Sequence, residues 1–304
     1  MERQSMKKAL PVILVVAMLL FGVFLLFYPD IASWYHDQQQ HGLFEENLTT
    51  IAELEAAYIA DHFARAEEYN EALNGGRIQD PFVEGSGAVL PPAYYIETLN
   101  INGIMAWIEI PRLNIDLPIF HTTNYDVLNR GVGHIEATSF PIGGTGTHAV
   151  LTGHSGLAHA RLFTPLLAER HPTGILIGDL FFIRVLDRIL AYEVVEMITV
   201  LPHEVETLRI DQTADYVTLI TCTPYAINSH RLLVRGARVP YEPGMELEIE
   251  PVVQSPLDWR TLIVVGFVVL FLLGLLIFKI RESKKQKERE EARLRQLDLE
   301  WRRK

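Results

Sequence analysis

Two long uncharged apolar runs bracket the chain, and between them apolar positions recur on two different periods. Ala9 to Tyr28 holds 20 residues without a charge. At about 1.5 Å per residue that is roughly 30 Å of helix, enough to cross a hydrocarbon core. Thr261 to Phe278 supplies 18 more, roughly 27 Å by the same rise, with Trp259 placed as an interfacial anchor. Past the first run, Phe44, Leu48, Ile51, Leu54, Tyr58, Ile59, Phe63, Ala66, Tyr69 and Leu73 recur at three- and four-residue steps. That spacing predicts an amphipathic helix or helix pair ending near Asn74-Gly75-Gly76, with Thr50 and Glu53 as a capping box.

From Met105 the period changes to two. Met105–Ile110, Ile115–Phe120, Thr147–Thr152, Leu180–Leu186, Ile189–Thr199, Tyr216–Thr221 and Leu232–Val239 are short apolar or alternating runs separated by Gly, Pro, Asn and Asp. This many strands at this spacing predicts a mainly β domain closed as a barrel or paired as a sandwich. Tyr125–Asn129 and Arg161–Glu169 read as short helices on its outside. The organisation expected is a tail at 1–8, a membrane helix at 9–28, a helical segment at 30–74 and a Gly- and Pro-rich loop at 75–95. The β domain at 96–250, a linker at 251–260, a second membrane helix at 261–278 and a basic tail at 279–304 complete it.

Charge orients this arrangement. Residues 1–8 carry net +2 and residues 279–304 net +5, so the chain's −11 leaves −18 between them. Basic flanks stay in the cytoplasm, which puts both termini inside and residues 30–258 outside, in a double-pass membrane protein. The first run lacks a small-x-small cleavage site and reads as an uncleaved anchor. An outer segment with 13 basic and 31 acidic residues is a poor nucleic-acid binder and would repel anionic surfaces, so its partners should be neutral or basic. In the tail, Leu294, Leu297 and Trp301 share one face, suited either to the inner membrane surface or to solvent.

Candidate chemistry centres on the single cysteine, Cys222. It ends the strand-like run Tyr216–Thr221, and Pro224 stops that run. One cysteine cannot form an internal disulfide, and a free thiol outside the cell is exposed to oxidation, which favours a reactive role over a buried structural one. Arg231 opens the next strand and can face the thiol from a neighbouring position. Among eleven histidines, His154 stands out because a strand delivers it to the flexible Gly153-His154-Ser155-Gly156 loop. His230, directly before Arg231, should point to the opposite face. Arg235 and Arg238 read as structural or solvated.

Thr218-Leu219-Ile220-Thr221-Cys222 resembles the Thr-Leu-x-Thr-Cys signature of the sortases, with Ile220 at its variable position. Arg231 falls where that family has its active-site arginine, and Leu151-Thr152-Gly153-His154-Ser155-Gly156 is similar to its histidine segment. The resemblance covers roughly Leu99 to Glu250. It implies a closed sortase-type β-barrel with Cys222, His154 and Arg231 as catalytic residues and no cofactor. Asp80-Pro81-Phe82, in the 75–95 loop, resembles the Asp-Pro-aromatic lid of the pilus-building class C enzymes. Asp80 would pair with Arg231 while Phe82 covers the thiol. The helical segment before the barrel and the two apolar runs also resemble that class.

The resemblance implies a cysteine transpeptidase of a Gram-positive cell membrane. Its partners would be pilin subunits that carry a Leu-Pro-x-Thr-Gly-like sorting signal and an acceptor lysine. Three rivals stand beside it: a housekeeping sortase anchoring surface proteins to cell-wall precursor, a tethered cysteine hydrolase, and a surface receptor that simply buries Cys222. A zinc site would want about four ligands at recognisable spacing, and none is expected here. Gly143-Gly144-Thr145-Gly146 lacks the following Lys-Ser or Lys-Thr of a phosphate loop and reads as a turn.

Overall fold

The structure, a computed structural model, describes residues 2–73, 93–169, 174–204, 208–250 and 259–302. It forms two compact units, Met1–Val253 and Gln254–Lys304. In the first, helix α1 (Glu2–Ala52) continues unbroken from the apolar run into the segment beyond it. Helices α2 (Ala56–Ala72) and α3 (Ala93–Glu97) follow. Then come strands β1 (Ile104–Ile110) and β2 (Ile115–His121), helix α4 (Tyr125–Leu128), and strands β3 (Val132–His134) and β4 (Thr147–Thr152). Strands β5 (Leu180–Val185), β6 (Arg188–Val200), β7 (Asp215–Thr223) and β8 (His230–Val239) complete it. The second unit is helix α5 (Trp259–Arg302).

The eight strands close a barrel in the order β1-β2-β3-β4-β7-β8-β6-β5. Six of the pairings are antiparallel; β2 with β3 and β4 with β7 are parallel. Alternation decides what fills it, because successive side chains leave a strand on opposite faces. Val217 and Leu219 of β7 join Leu151, Phe181, Ile183, Tyr192 and Val234 in the main core, whereas Ile220 belongs to a separate cluster with Ile135, Val150, Leu208 and Leu233. Gly236 of β8 is required by the core: a Cβ there would lie 2.3 Å from the Phe181 ring.

Two expectations need correction. Thr50 does not cap a helix start; it lies in the last turn of α1, its hydroxyl donates to the Glu46 carbonyl, and Glu55 occupies the N-cap of α2. Arg161–Glu169 yields only a 3-10 turn at Thr164–Leu166, since Pro165 lacks an N–H to donate. β3 and α3 were not foreseen in the pattern; three and five residues are too few to display a period. The turn expected at Gly143-Gly144-Thr145-Gly146 is present, with positive φ at all three glycines.

The helices are bolted to the barrel by polar side chains on otherwise apolar faces. Asn47 of α1 accepts from the Trp107 indole N–H at 3.2 Å and donates to the Ile101 carbonyl at 3.3 Å, with Phe44 edge-on to Trp107. On α2, Asn70 accepts from the Phe140 N–H at 2.7 Å, and Tyr69 donates to the Glu136 carbonyl. Beneath lies a buried stack of Tyr95, His134 and Phe140, in which Tyr95 meets His134 Nδ1 at 2.8 Å and His134 Nε2 donates to the Ser139 carbonyl.

Burial holds three histidines neutral: it pushes the pKa of His134 down to about 3, and those of His121 and His148 to about 4. Their unfolded value is near 6.5, so below it the unfolded chain binds protons that the folded one refuses. This contribution to stability is complete above pH 6.5 and is lost as pH falls toward 4. Three such groups impose a slope of up to about 4 kcal/mol per pH unit. The denaturation midpoint should therefore drop steeply between pH 6.5 and 4.5, against the relief of acidic self-repulsion that works the other way. A flat or rising midpoint over that window would refute the assignment.

Candidate active site

Cys222 is the next-to-last residue of β7, a strand hydrogen-bonded on both sides. On one side β8 runs antiparallel in a register that sets Cys222 opposite Arg231. On the other, β4 runs parallel with Thr152 beside Ile220. Beyond the end of β4 the pairing continues in another form: the Gly153 N–H donates to the Ile220 carbonyl at 3.0 Å, and the Ser155 hydroxyl donates to the Cys222 carbonyl at 2.6 Å. These two bonds flank His154 and hold it alongside Cys222.

Parity then fixes the face. Val217, Leu219 and Leu151 point into the barrel, so Ile220, Cys222, Val150 and His154 point outward, as do Leu233 and Arg231. Thiol, imidazole and guanidinium thus share the outer wall, next to the apolar floor of Ile135, Val150, Ile220 and Leu233, with Ile198 and Val200 packed against it. His230 pairs with Thr223 and leaves β8 on the opposite face.

The supports are buried. Cys222 and Arg231 are 5% and 7% exposed. Arg231 Nη1 donates to the carbonyls of Asn228 and His230 at 2.9 and 3.0 Å, which aims the guanidinium at the turn after Cys222. Ala226 and Asn228 take positive φ in that turn. Thr221, one residue before the cysteine, turns its hydroxyl to the Gly153 carbonyl at 2.8 Å. Gly153 cannot carry a side chain, because a Cβ would stand 2.7 Å from the Phe163 ring, while the Phe163 N–H donates to the His154 carbonyl. Tyr225 packs on Gly156, and its N–H donates to Glu169.

Burial lowers the pKa of His154, and the neighbouring His159 adds to the shift. At neutral pH the imidazole is therefore mostly uncharged and able to accept a proton from a thiol beside it. A sulfur nucleophile, a proton carrier and a fixed cation on one face are the parts of an acyl-transfer site. His148 lies on the same face but serves the frame: it bridges the Thr218 hydroxyl at 2.7 Å and the Arg209 carbonyl at 3.0 Å. Arg235 pairs with Glu196 at 2.6 Å and Arg238 stacks over Tyr192, both as framework.

The sequence did not point to Ser155, Thr221 or Phe163 as supports of the site. Their neighbours in space lie 67, 68 and 9 residues away, and only the parallel pairing of β4 with β7 brings the two distant ones in. The expected lid residues Asp80, Pro81 and Phe82 lie outside the described residues.

Comparison with known proteins gives the same reading. A sortase domain model matches residues 108–239. Sortase D of Bacillus subtilis is 27% identical over 146 residues, which span 47% of this chain and 66% of that protein. Sortase C-1 of Streptococcus pneumoniae is 40% identical, with a TM-score of 0.60 over 67% of this chain and all of that one. A pilus-related sortase C of Group B Streptococcus is 36% identical, with a TM-score of 0.58 over 64% of this chain and 95% of that one. The barrel, the register around Cys222 and these likenesses lead to one conclusion: the chain belongs to the sortase family, with class C sortases as its structural neighbours.

Proposed function

We propose that this protein is a membrane-anchored cysteine transpeptidase that joins pilin subunits through a Leu-Pro-x-Thr-Gly-like signal. What supports the reading is that Cys222 lies opposite Arg231 of β8 while its carbonyl is bonded to Ser155, the residue after His154. The pilus assignment draws on the class C neighbours and on the pilus-related name of one of them. The two apolar helices at the ends of the chain suit an anchor, with the barrel outside the cell.

In this mechanism the neutral imidazole of His154 takes the thiol proton as Cys222 Sγ attacks the threonine carbonyl carbon. A tetrahedral oxyanion forms, and the Arg231 guanidinium, already fixed by two carbonyls, faces the growing negative charge. The bond to the glycine nitrogen breaks as His154 returns the proton to that amine. A thioester remains on Cys222. A lysine amine of a second subunit then attacks the thioester, loses its proton through His154 and expels the thiolate, so the new isopeptide bond replaces the old peptide bond.

Incubating the protein with candidate pilins should yield ladders that survive boiling in detergent, with Cys222→Ala giving none. Replacing Arg231 with Ala should lower kcat/KM by about 10²–10³-fold, the cost of one oxyanion donor. Hydrolysis without ligation in the presence of an added amine would instead make the protein a hydrolase. Activity retained in Cys222→Ala would make it a binding protein.

The resting state of His154 gives a separate check. Proton NMR of the imidazole should show titration below the ordinary histidine value, and His159→Gln should move it upward by removing the neighbouring imidazole that opposes its charge. A titration above pH 7 would mean that a thiolate–imidazolium pair governs the resting site instead.

A further inference from the structure

We propose that the catalytic end of the barrel rests on the membrane surface in which α1 is anchored, with the exposed apolar tips of its loops seated among the lipid headgroups. The inference rests on the anchor reading given above. Its first support is the run of contacts along α1. The apolar stretch ends at Tyr28, and the first buried side chain beyond it is Ser33, followed on the same face by His36 and Gln40. Gln40 Nε2 donates to the Arg130 carbonyl at 2.9 Å; farther along, Asn47 holds Trp107 and Ile101, and Asn102 meets Thr50.

These contacts orient the barrel. Moving away from the membrane along α1, they climb from Arg130, just before β3, to Ile101 and Asn102, just before β1. The start of β3 and the end of β1 are therefore proximal, and the start of β1 is distal. Register carries this around the wall. β4 is antiparallel to β3 and so descends toward the membrane, and β7, parallel to β4, descends with it. Both deliver their last residues, and with them His154 and Cys222, to the proximal end; β8 starts there with Arg231. Twelve residues of helix separate Tyr28 from Gln40, about 18 Å along the axis, and five separate it from Ser33, about 7.5 Å. The headgroup layer on each side of a bilayer is about 5–7 Å deep, so the docked face begins where the lipid ends.

The second support is composition at that end. Large hydrophobic side chains stand exposed in the connections that surround the site: Tyr125 on α4 at 77%, Ile177 before β5 at 67%, Ile227 between β7 and β8 at 71%, together with Leu176 and Leu201. Arg130 and Arg161 are exposed beside them, and so are Asp126, Glu169 and Glu204. On the face of α1 turned away from the barrel, Ile31, Trp34 and Tyr35 are also exposed, an aromatic belt at the expected depth. Exposed apolar tips fit the interfacial layer of a bilayer better than open solvent. A site so placed meets polypeptide as it emerges from the same bilayer.

Cys222 is the single cysteine, so in a Cys222→Ala background one new cysteine is labelled uniquely. The full chain, reconstituted in phosphatidylcholine–phosphatidylglycerol vesicles, would carry a fluorophore at Ile177→Cys or Ile227→Cys. The reference label sits at Asp187→Cys, in the β5–β6 turn at the opposite end. A nitroxide attached to lipid headgroups should quench the labels at 177 and 227 at least fivefold more than the one at 187. Seven residues inserted between Asp30 and Ile31 lengthen α1 by about 10.5 Å with little change of face and should abolish that difference. Equal quenching at all three positions, stronger quenching at 187, or a difference that survives the insertion would overturn the proposal. Because the labelled protein lacks the thiol, none of these outcomes depends on transpeptidation, whose failure would show in the pilin assay alone.

Discussion

The site depends on the register of one strand. β7 is held between a parallel neighbour and an antiparallel one, so two independent ladders fix which of its residues face outward. A slip of a single residue against either would turn every side chain over, placing Cys222 in the dry core and Leu219 at the surface. Apolar burial resists that slip: Val217 and Leu219 are enclosed with Leu151 and Val234 on the inside, and Ile220 is enclosed with Val150 and Leu233 on the outside. The thiol owes its position to hydrophobic side chains on both faces of the strand that carries it.

Polar groups then refine what packing has set. The Thr221 hydroxyl faces inward yet reaches the Gly153 carbonyl, and the Ser155 hydroxyl reaches the Cys222 carbonyl. Each bond spans the line between β7 and the loop past β4, one from either side. The loop holding His154 is thus stitched to the cysteine strand where regular pairing has ended. Loops are ordinarily the most mobile parts of a fold. Here the loop is closed a second time by Phe163, whose ring fills the space a side chain at 153 would need.

Much of this was legible in the sequence because the relevant signals are local. Alternation marked seven of the strands, and the two apolar runs declared themselves by length. The Cys222 and His154 segments carried enough identity to suggest the family. What escaped was set by partners distant in the chain. β3 is three residues long and exists because Ile119 and Thr152 flank it on either side, not because Val132-Gly133-His134 has strand character of its own. Thr50 and Glu53 match a capping box, but α1 arrives from the apolar run already helical, so the same residues end a helix instead of starting one. His121, His134 and His148 could not be told from surface histidines by spacing. Only the enclosed surroundings show that they are kept neutral, each bonded to a carbonyl.

The same helix that defeats the capping box gives the barrel its orientation. A flexible tether between the apolar run and the barrel would let the catalytic end point anywhere. An uninterrupted α1, pinned at Gln40 and again at Asn47, fixes the barrel relative to the apolar run. Strand direction does the rest, since β4 and β7 must both end on the side where β3 begins. Parallel pairing is the uncommon choice in a small barrel, and it is what sends the histidine and the cysteine to the same end. Had β4 and β7 been antiparallel, the ends bearing His154 and Cys222 would have separated by the length of the barrel wall.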